Sequence, residues 1–226
     1  MEIKELTILA NKYGSDKGTI VASCHGFSEI YDDNLKEYKN IYRNILEVGV
    51  NDGSSLKMWC EFFPNTKVLG LDIGDKSQYN NDRVTCVVLD QSNEEQLKKF
   101  TEITDIQFDF ILDDGSHHMR DQQITFAYLF KLLKPGGIYV IEDLHTSLCD
   151  NGTNVYGRPI EVYGDGSNTT LNYLETTPYS SVYLDKDLNT YLQNNIKDVK
   201  IFKKNNLKVP NDYKQTSITS IIIKNG

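Results

Sequence analysis

Two short runs of the chain carry acids and imidazoles at spacings that could do chemistry. The first is Asp113-Asp114-Gly115-Ser116-His117-His118, and the second is Glu142-Asp143-Leu144-His145. Each follows an apolar stretch, Phe108 to Leu112 and Tyr139 to Ile141, of the kind that forms a buried strand. Neighbouring strands would bring both acidic pairs to one sheet edge, where their repulsion calls for a cation or protons. Oxygen ligation suits Mg²⁺, or Mn²⁺ in its place, with positions left for water or substrate oxygens. Asp114, Glu142 and Asp143 are the set that could hold it. A hydroxyl beside such an ion is acidified and fixed, and an adjacent imidazole can take its proton. His117, just past Asp114 around Gly115, is the candidate base and His145 its rival; His118 reads as supporting or solvent-facing. Any one strand-end Asp also serves as a helix cap or turn former.

A second constellation lies upstream. Glu47-Val48-Gly49-Val50-Asn51-Asp52-Gly53-Ser54 links an apolar run to a helix-like stretch, and glycine there lets backbone approach a ligand. Asp72 ends the next apolar run, where a carboxylate can hold ribose hydroxyls. Asp90 ends the third, where it can meet an adenine edge, with Gln91 beside it. Glu47, Gly49, Asn51, Asp72, Asp90, Gln91 and Asp113 therefore form a candidate nucleoside crevice at the carboxyl edge of a sheet. A dinucleotide fingerprint needs G-x-G-x-x-G, but Asn51 and Ser54 stand at its second and third glycine positions. That favours S-adenosylmethionine over NAD.

These residues need a scaffold that alternates strands and helices. The pattern predicts strands over 42–49, 67–72, 83–89, 108–112 and 137–141. It predicts helices over 54–63, 93–100 and 120–133, the last closed by Lys134-Pro135-Gly136-Gly137. The near-continuous apolar strands fit a parallel sheet covered on both faces, so the class is α/β. Helices over 3–11 and 27–38 precede it, joined by the polar loop Lys12 to Thr19. Strands over 197–202 and 217–224 follow, as an antiparallel edge. The expected organisation is one domain: a helical cap (1–41), a cofactor core (42–145), an acceptor or lid loop (146–180) and C-terminal strands (181–226). Tyr156, Tyr163, Tyr173 and Tyr179 read either as a sugar-stacking lid or as packing.

Composition narrows the partners. The 226 residues carry 24 Lys+Arg against 32 Asp+Glu, a net charge of −8. That balance disfavours duplex nucleic acid, whose phosphates need a basic footprint; the basic stretch Lys197 to Lys208 is short. No apolar run nears the ~20 residues of a membrane span, and the opening residues do not resemble a secretory signal. Cys24, Cys60, Cys86 and Cys149 lack paired spacing and read as reduced thiols. A cytoplasmic protein is expected.

Taken together, the ordered motifs resemble a class I S-adenosylmethionine-dependent methyltransferase. Asp-Asp-Gly-Ser-His at 113–117, Glu-Asp-Leu-His-Thr-Ser at 142–147 and Lys-Tyr-Gly-Ser-Asp-Lys-Gly-Thr at 12–19, with His25 and Tyr31, are similar to the metal-dependent sugar O-methyltransferases of the mycinamicin type. The likeness runs from about residue 10 to residue 147 and weakens beyond. It implies a Rossmann-like, seven-stranded, mostly parallel sheet with an antiparallel C-terminal edge strand and helices on both faces. It implies Mg²⁺ on Asp114, Glu142 and Asp143, with His117 as general base and Asp114 beside it in catalysis. Lys17 and Tyr13 are candidates to cover the methionine end of the cofactor, or to form a solvated loop; His25 is expected to pack near the cofactor. A counterpart of the macrolide enzymes' additional N-terminal domain is not expected, and the expected acceptor is accordingly a smaller or more exposed sugar: nucleotide-linked, capsular or of a natural product. A catechol-like or phosphate-type acceptor and a non-catalytic cofactor-binding protein are the alternatives; a homo-oligomer is also expected.

Overall fold

The structure, a computed structural model, describes residues 3–21, 24–150, 153–154, 168–205 and 216–226. Five strands, β1 (Asn44–Val48), β2 (Lys67–Asp72), β3 (Val84–Val88), β4 (Phe108–Asp113) and β5 (Leu133–Ile141), form the parallel part of a seven-stranded sheet. A small hairpin, β6 (Cys149–Asp150) and β7 (Thr153–Asn154), stands apart from it. β8 (Ile196–Asn205) and β9 (Thr216–Lys224) complete the sheet in the order β3-β2-β1-β4-β5-β9-β8. β9 runs antiparallel to both its neighbours, so the final strand lies inside the edge strand β8.

Alternation along the strands divides their side chains between two cores. Ile45, Phe110, Leu112 and Val140 face the side covered by α1 (Glu5–Tyr13), α2 (Ser28–Leu35) and α3 (Ser54–Phe62), where Leu6, Tyr31 and Trp59 pack. Leu46, Ile111, Tyr139 and Ile141 face the side covered by α4 (Glu94–Ile103), α5 (Met119–Leu129) and α7 (Lys186–Asn195), where Leu97, Phe126, Leu188 and Leu192 pack. A short helix, α6 (Thr170–Glu175), precedes α7. Among the described residues, no helix is long and apolar enough to cross a membrane.

Three stretches depart from the pattern read in the sequence. The helix expected over 120–133 stops at Leu129 and tightens into a 3₁₀ turn, Phe130–Leu132. β5 begins at Leu133, so Lys134-Pro135-Gly136-Gly137 belongs to the strand; Gly136 sits at φ +73°, and the pairing shifts register between Phe108 and Phe110. α6 and α7 lie where a loop or no element was expected. Of the four tyrosines proposed for a lid, Tyr156 and Tyr163 fall outside the described residues. Tyr173 is buried with its ring 6.5 Å from Phe126 and 6.0 Å from Tyr179, which is packing.

Candidate active site

Because β1, β2, β3, β4 and β5 run parallel, their carboxyl ends meet at one edge and bring Glu47, Asp72, Asp113 and Asp114, and the Glu142–Asp143 pair together. Tight backbone contact between β1 and β4 closes the centre of that edge. Gly49 has φ +87°, and a Cβ there would lie 2.1 Å from the Asp114 carbonyl oxygen. Both the conformation and the approach require glycine. Gly49→Ala is expected to lower Tm by about 10 °C, through backbone strain and overpacking of a few kcal/mol. A melting curve unchanged by the substitution would show that Asp114 can withdraw freely.

Beside Gly49 opens a cleft of about 380 Å³ lined by Asn51, Asp72, Asp90, Gln91, Asp114 and His117, among others. Asp72 Oδ2 accepts the Val50 and Asn51 backbone N–H groups at 2.9 and 3.1 Å, and Oδ1 accepts that of Gly74 at 2.8 Å. Its carboxylate therefore shapes the loop after β1, with acceptor capacity left for ribose hydroxyls. Asp72→Ala is expected to weaken binding of S-adenosylmethionine by about 1–3 kcal/mol in calorimetry, the worth of charge-assisted hydrogen bonds. Equal affinity in the variant would remove Asp72 from the site. Asp90 caps its own turn, accepting Ser92 N–H at 2.9 Å. Gln91 is buried, donates to Asp113 Oδ1 and Thr125 Oγ1 at 3.2 Å each, and accepts the Ser116 N–H at 2.5 Å. It thus pins the loop that carries His117. Asp113 lies beneath the cleft, and burial pushes its carboxyl up to about 7.

A smaller cleft of about 180 Å³, lined by Ser15, Lys17, Asn51 and Ser54 among others, adjoins the first. Lys17 is 1% exposed, so the polar loop that carries it is not solvated there. Its Nζ donates to Asp114 Oδ2 at 2.5 Å and lies 3.2 Å from Glu142 Oε2, 3.8 Å from Asp16 and 4.0 Å from Glu47. Glu142 Oε1 accepts from the Tyr31 hydroxyl at 2.6 Å, and that hydroxyl lies 3.0 Å from Thr219 Oγ1 on β9. Burial, and next the Asp114 charge, push the Glu142 carboxyl well above its usual range. Burial also raises Glu47 to about 7 despite Lys17.

Three imidazoles surround Asp143. His117 Nε2 is 3.4 Å from Oδ2, while His145 Nδ1 and His25 Nε2 are 3.7 and 3.8 Å from Oδ1. His25 is held by Ser217 Oγ of β9 at 2.8 Å and stacks on Phe27. Burial opposes ionisation of Asp143, but the histidines, His117 first, bring its carboxyl below the usual range. His145, 4% exposed, is pushed down to about 4 by burial.

The donor set fits a divalent cation. Asp114, His117 and Asp143 each offer a ligand atom, all within 4.8 Å of one another. Asp143 Oδ1 is buried without a hydrogen-bond partner, as an oxygen kept for an ion would be. Glu142, expected in the ligand set, is adjacent but has its two oxygens engaged by Tyr31 and Lys17. Among the described non-glycine residues, those with positive φ are Asn51, His117 and Asp143, all at this site. Such backbone costs of order 1–3 kcal/mol each and persists where surroundings impose it. The sequence reading missed Tyr31 as a Glu142 partner, the convergence on Asp143 and the burial of Lys17. For Tyr31, His25 and Lys17 the only signal was the shared likeness of the 12–31 segment.

Strand order and cleft define a class I S-adenosylmethionine-dependent methyltransferase fold, and residues 46–141 match the family model described as a methyltransferase domain. Within that class, the chain is a relative of the macrolide and polyketide sugar O-methyltransferases. It is 36% identical over 150 residues to mycinamicin VI 2''-O-methyltransferase of Micromonospora griseorubida, covering 63% of this chain and 37% of that one. To the 8-demethyl-8-alpha-L-rhamnosyl tetracenomycin-C 2'-O-methyltransferase of Streptomyces olivaceus it is 35% identical over 182 residues, 77% of this chain and 45% of that one. The chain thus spans less than half the length of these relatives. MycE, a methyltransferase of mycinamycin biosynthesis solved with Mg, SAH and mycinamycin VI, superposes with TM-score 0.71 and 26% identity. That superposition covers 98% of this chain and 54% of MycE.

Proposed function

We propose that the protein transfers the methyl group of S-adenosylmethionine to a sugar hydroxyl with the help of Mg²⁺ or Mn²⁺. The observation that carries this reading is the convergence of Asp114, His117 and Asp143, two of which line the cleft beside the Gly49 turn. Gly49, Asn51, Asp72, Asp90 and Gln91 would receive the cofactor. Asp114 and Asp143, with Glu142 next to them, would hold the cation. When bound, the cation lowers the pKa of an acceptor hydroxyl, and the sulfonium supplies the methyl group.

The chain's own part is orientation and proton removal. His117 lines the cleft, whereas His145 is buried off it, so His117 is the base within reach of an acceptor. Its ring is aimed by the unusual backbone and by Asp143. Asp114, His117 and Asp143 converging at the edge of this cleft, with Glu142 adjacent, have no use in a protein that merely stores the cofactor.

The relatives named above act, by their names, on sugars of natural products, and this supports an acceptor of that type. The capsular acceptor expected from chain length finds no support among them. Incubation of the protein with S-adenosylmethionine, Mg²⁺ and rhamnosylated or macrolide-sugar acceptors tests the reading. The expected result is a product heavier by one methyl substitution, located on the sugar. Methylation of a catechol acceptor in place of every sugar would overturn it, as would binding of NAD instead of S-adenosylmethionine.

A further inference from the structure

We infer that Lys17 is the fixed counter-charge of the acidic centre, a positioning residue that holds Asp114 and Glu142 side by side. The inference adds a role to the site proposed above and rests on that reading only for its metal-dependent readout.

The geometry is that of a hub. One ammonium group carries three N–H donors, and here four carboxylate side chains lie within 4.0 Å of it. Three of them, Glu47, Asp114 and Glu142, come from the ends of β1, β4 and β5; the fourth, Asp16, is its sequence neighbour. The two shortest contacts, 2.5 Å to Asp114 and 3.2 Å to Glu142, join residues whose strands are adjacent in the sheet. The Nζ hydrogen bond goes to Asp114, and Glu142 is its next-nearest carboxylate, so the ammonium charge is directed at the acidic edge.

Burial makes this arrangement consequential. The Lys17 side chain is 2% exposed, and those of Glu47 and Glu142 are 1% exposed. Water therefore cannot take over the compensation, and an unpaired charge left in such a place is strongly destabilising. A lysine on a solvated loop would carry no such coupling. The loop that bears it is itself anchored: the Lys17 carbonyl accepts the Ser28 N–H at 2.9 Å, and the Asp16 carbonyl that of His25 at 2.7 Å. The cap before β1 thus delivers the Lys17 ammonium to the sheet edge in a fixed position. A divalent ion on Asp114 would share that carboxylate with Lys17, whose hydrogen bond then orients it from outside, as partners beyond the coordination shell do.

Charge exchange tests the role. In metal-free buffer, Lys17→Met is expected to lower the melting temperature by about 10 °C or more. Glu142→Gln is expected to lower it in the wild-type background, yet to raise it when added to Lys17→Met. That reversal of sign is what charge compensation requires and what loss of packing would not give. If the double variant melts no higher than Lys17→Met alone, the inference is overturned, even where the single variant folds too poorly to assay. Mg²⁺ is further expected to raise the melting temperature of Lys17→Met by more than that of the wild type, because it then supplies the missing positive charge. Where Mg²⁺ does stabilise the wild type, an equal or smaller rise in Lys17→Met would also overturn the inference. Should Mg²⁺ stabilise neither protein while the sign reversal holds, Lys17 keeps its role and the proposed metal site fails.

Discussion

Removal of divalent cations with EDTA is expected to suppress methyl transfer by about 10³-fold or more, and added Mg²⁺ or Mn²⁺ to restore it. The size follows from what polarisation of a hydroxyl contributes, several kcal/mol at the transition state, with each 1.4 kcal/mol worth about tenfold. The hard carboxylate oxygens of Asp114 and Asp143 favour these two ions. The measurement is turnover of a sugar acceptor before chelation, after it and after repletion. Full activity in chelator would leave Asp114, Glu142 and Asp143 with the structural tasks of holding Lys17 and the three histidines.

The second large effect concerns His117. His117→Gln is expected to reduce kcat by roughly 10²–10⁴-fold, the usual range for loss of a general base. Cofactor affinity should survive, because Asp72, Asp90 and Gln91 lie on other strand ends. His117 also stands within the cluster that could ligate a cation, so the Mg²⁺ concentration for half-activation must be measured as well. With that concentration unchanged, the residue acts as base; a large increase would make it a ligand. His145→Gln serves as the comparison. The low proton affinity that burial gives His145 makes it a poor base at neutral pH, so its variant should retain far more activity. A dead His145 variant beside an active His117 variant would reverse the assignment.

The parallel half of the sheet was legible because its strands announce themselves twice. β2 spans Lys67–Asp72 as read, since an apolar run buried on both faces ends there in an acid that must leave the core. The same logic located Asp114 and Asp143 at adjacent strand ends. α7 was not legible: its apolar contacts rest on Leu188 and Leu192 within a polar stretch, although Asp185, which accepts the Leu188 N–H at 2.8 Å, was a usable start signal. Lys134–Gly137 misled because Pro and Gly usually stop an element, whereas here the shift opposite Phe108 and Phe110 lets the strand absorb them. The carboxylate partners of Lys17 could not be read from sequence, although the likeness of its loop had put the residue near the cofactor. Its partner Asp114 lies 97 residues away, and only the completed sheet shows that a polar loop is packed onto a carboxylate edge. Local patterns tell which groups are present; long-range closure decides which of them meet.

The place of β9 between β5 and β8 bears on how the molecule is made. β5 is complete at Ile141, but the flank that will pair with Ile222 and Ile223 has no partner until residues 216–224 have left the ribosome. At about 5–20 residues per second, that flank stays open for roughly 4–16 s of synthesis. An unpaired apolar strand edge is a template for the wrong partner, so this interval is when nascent chains are most prone to associate and when a chaperone has most to protect. The same late strand brings Ser217 to His25 and Thr219 to Tyr31. Competence for chemistry therefore arrives with nearly the last described residues translated, and a message cut short before them yields a chain with most of its sheet and an unfinished centre.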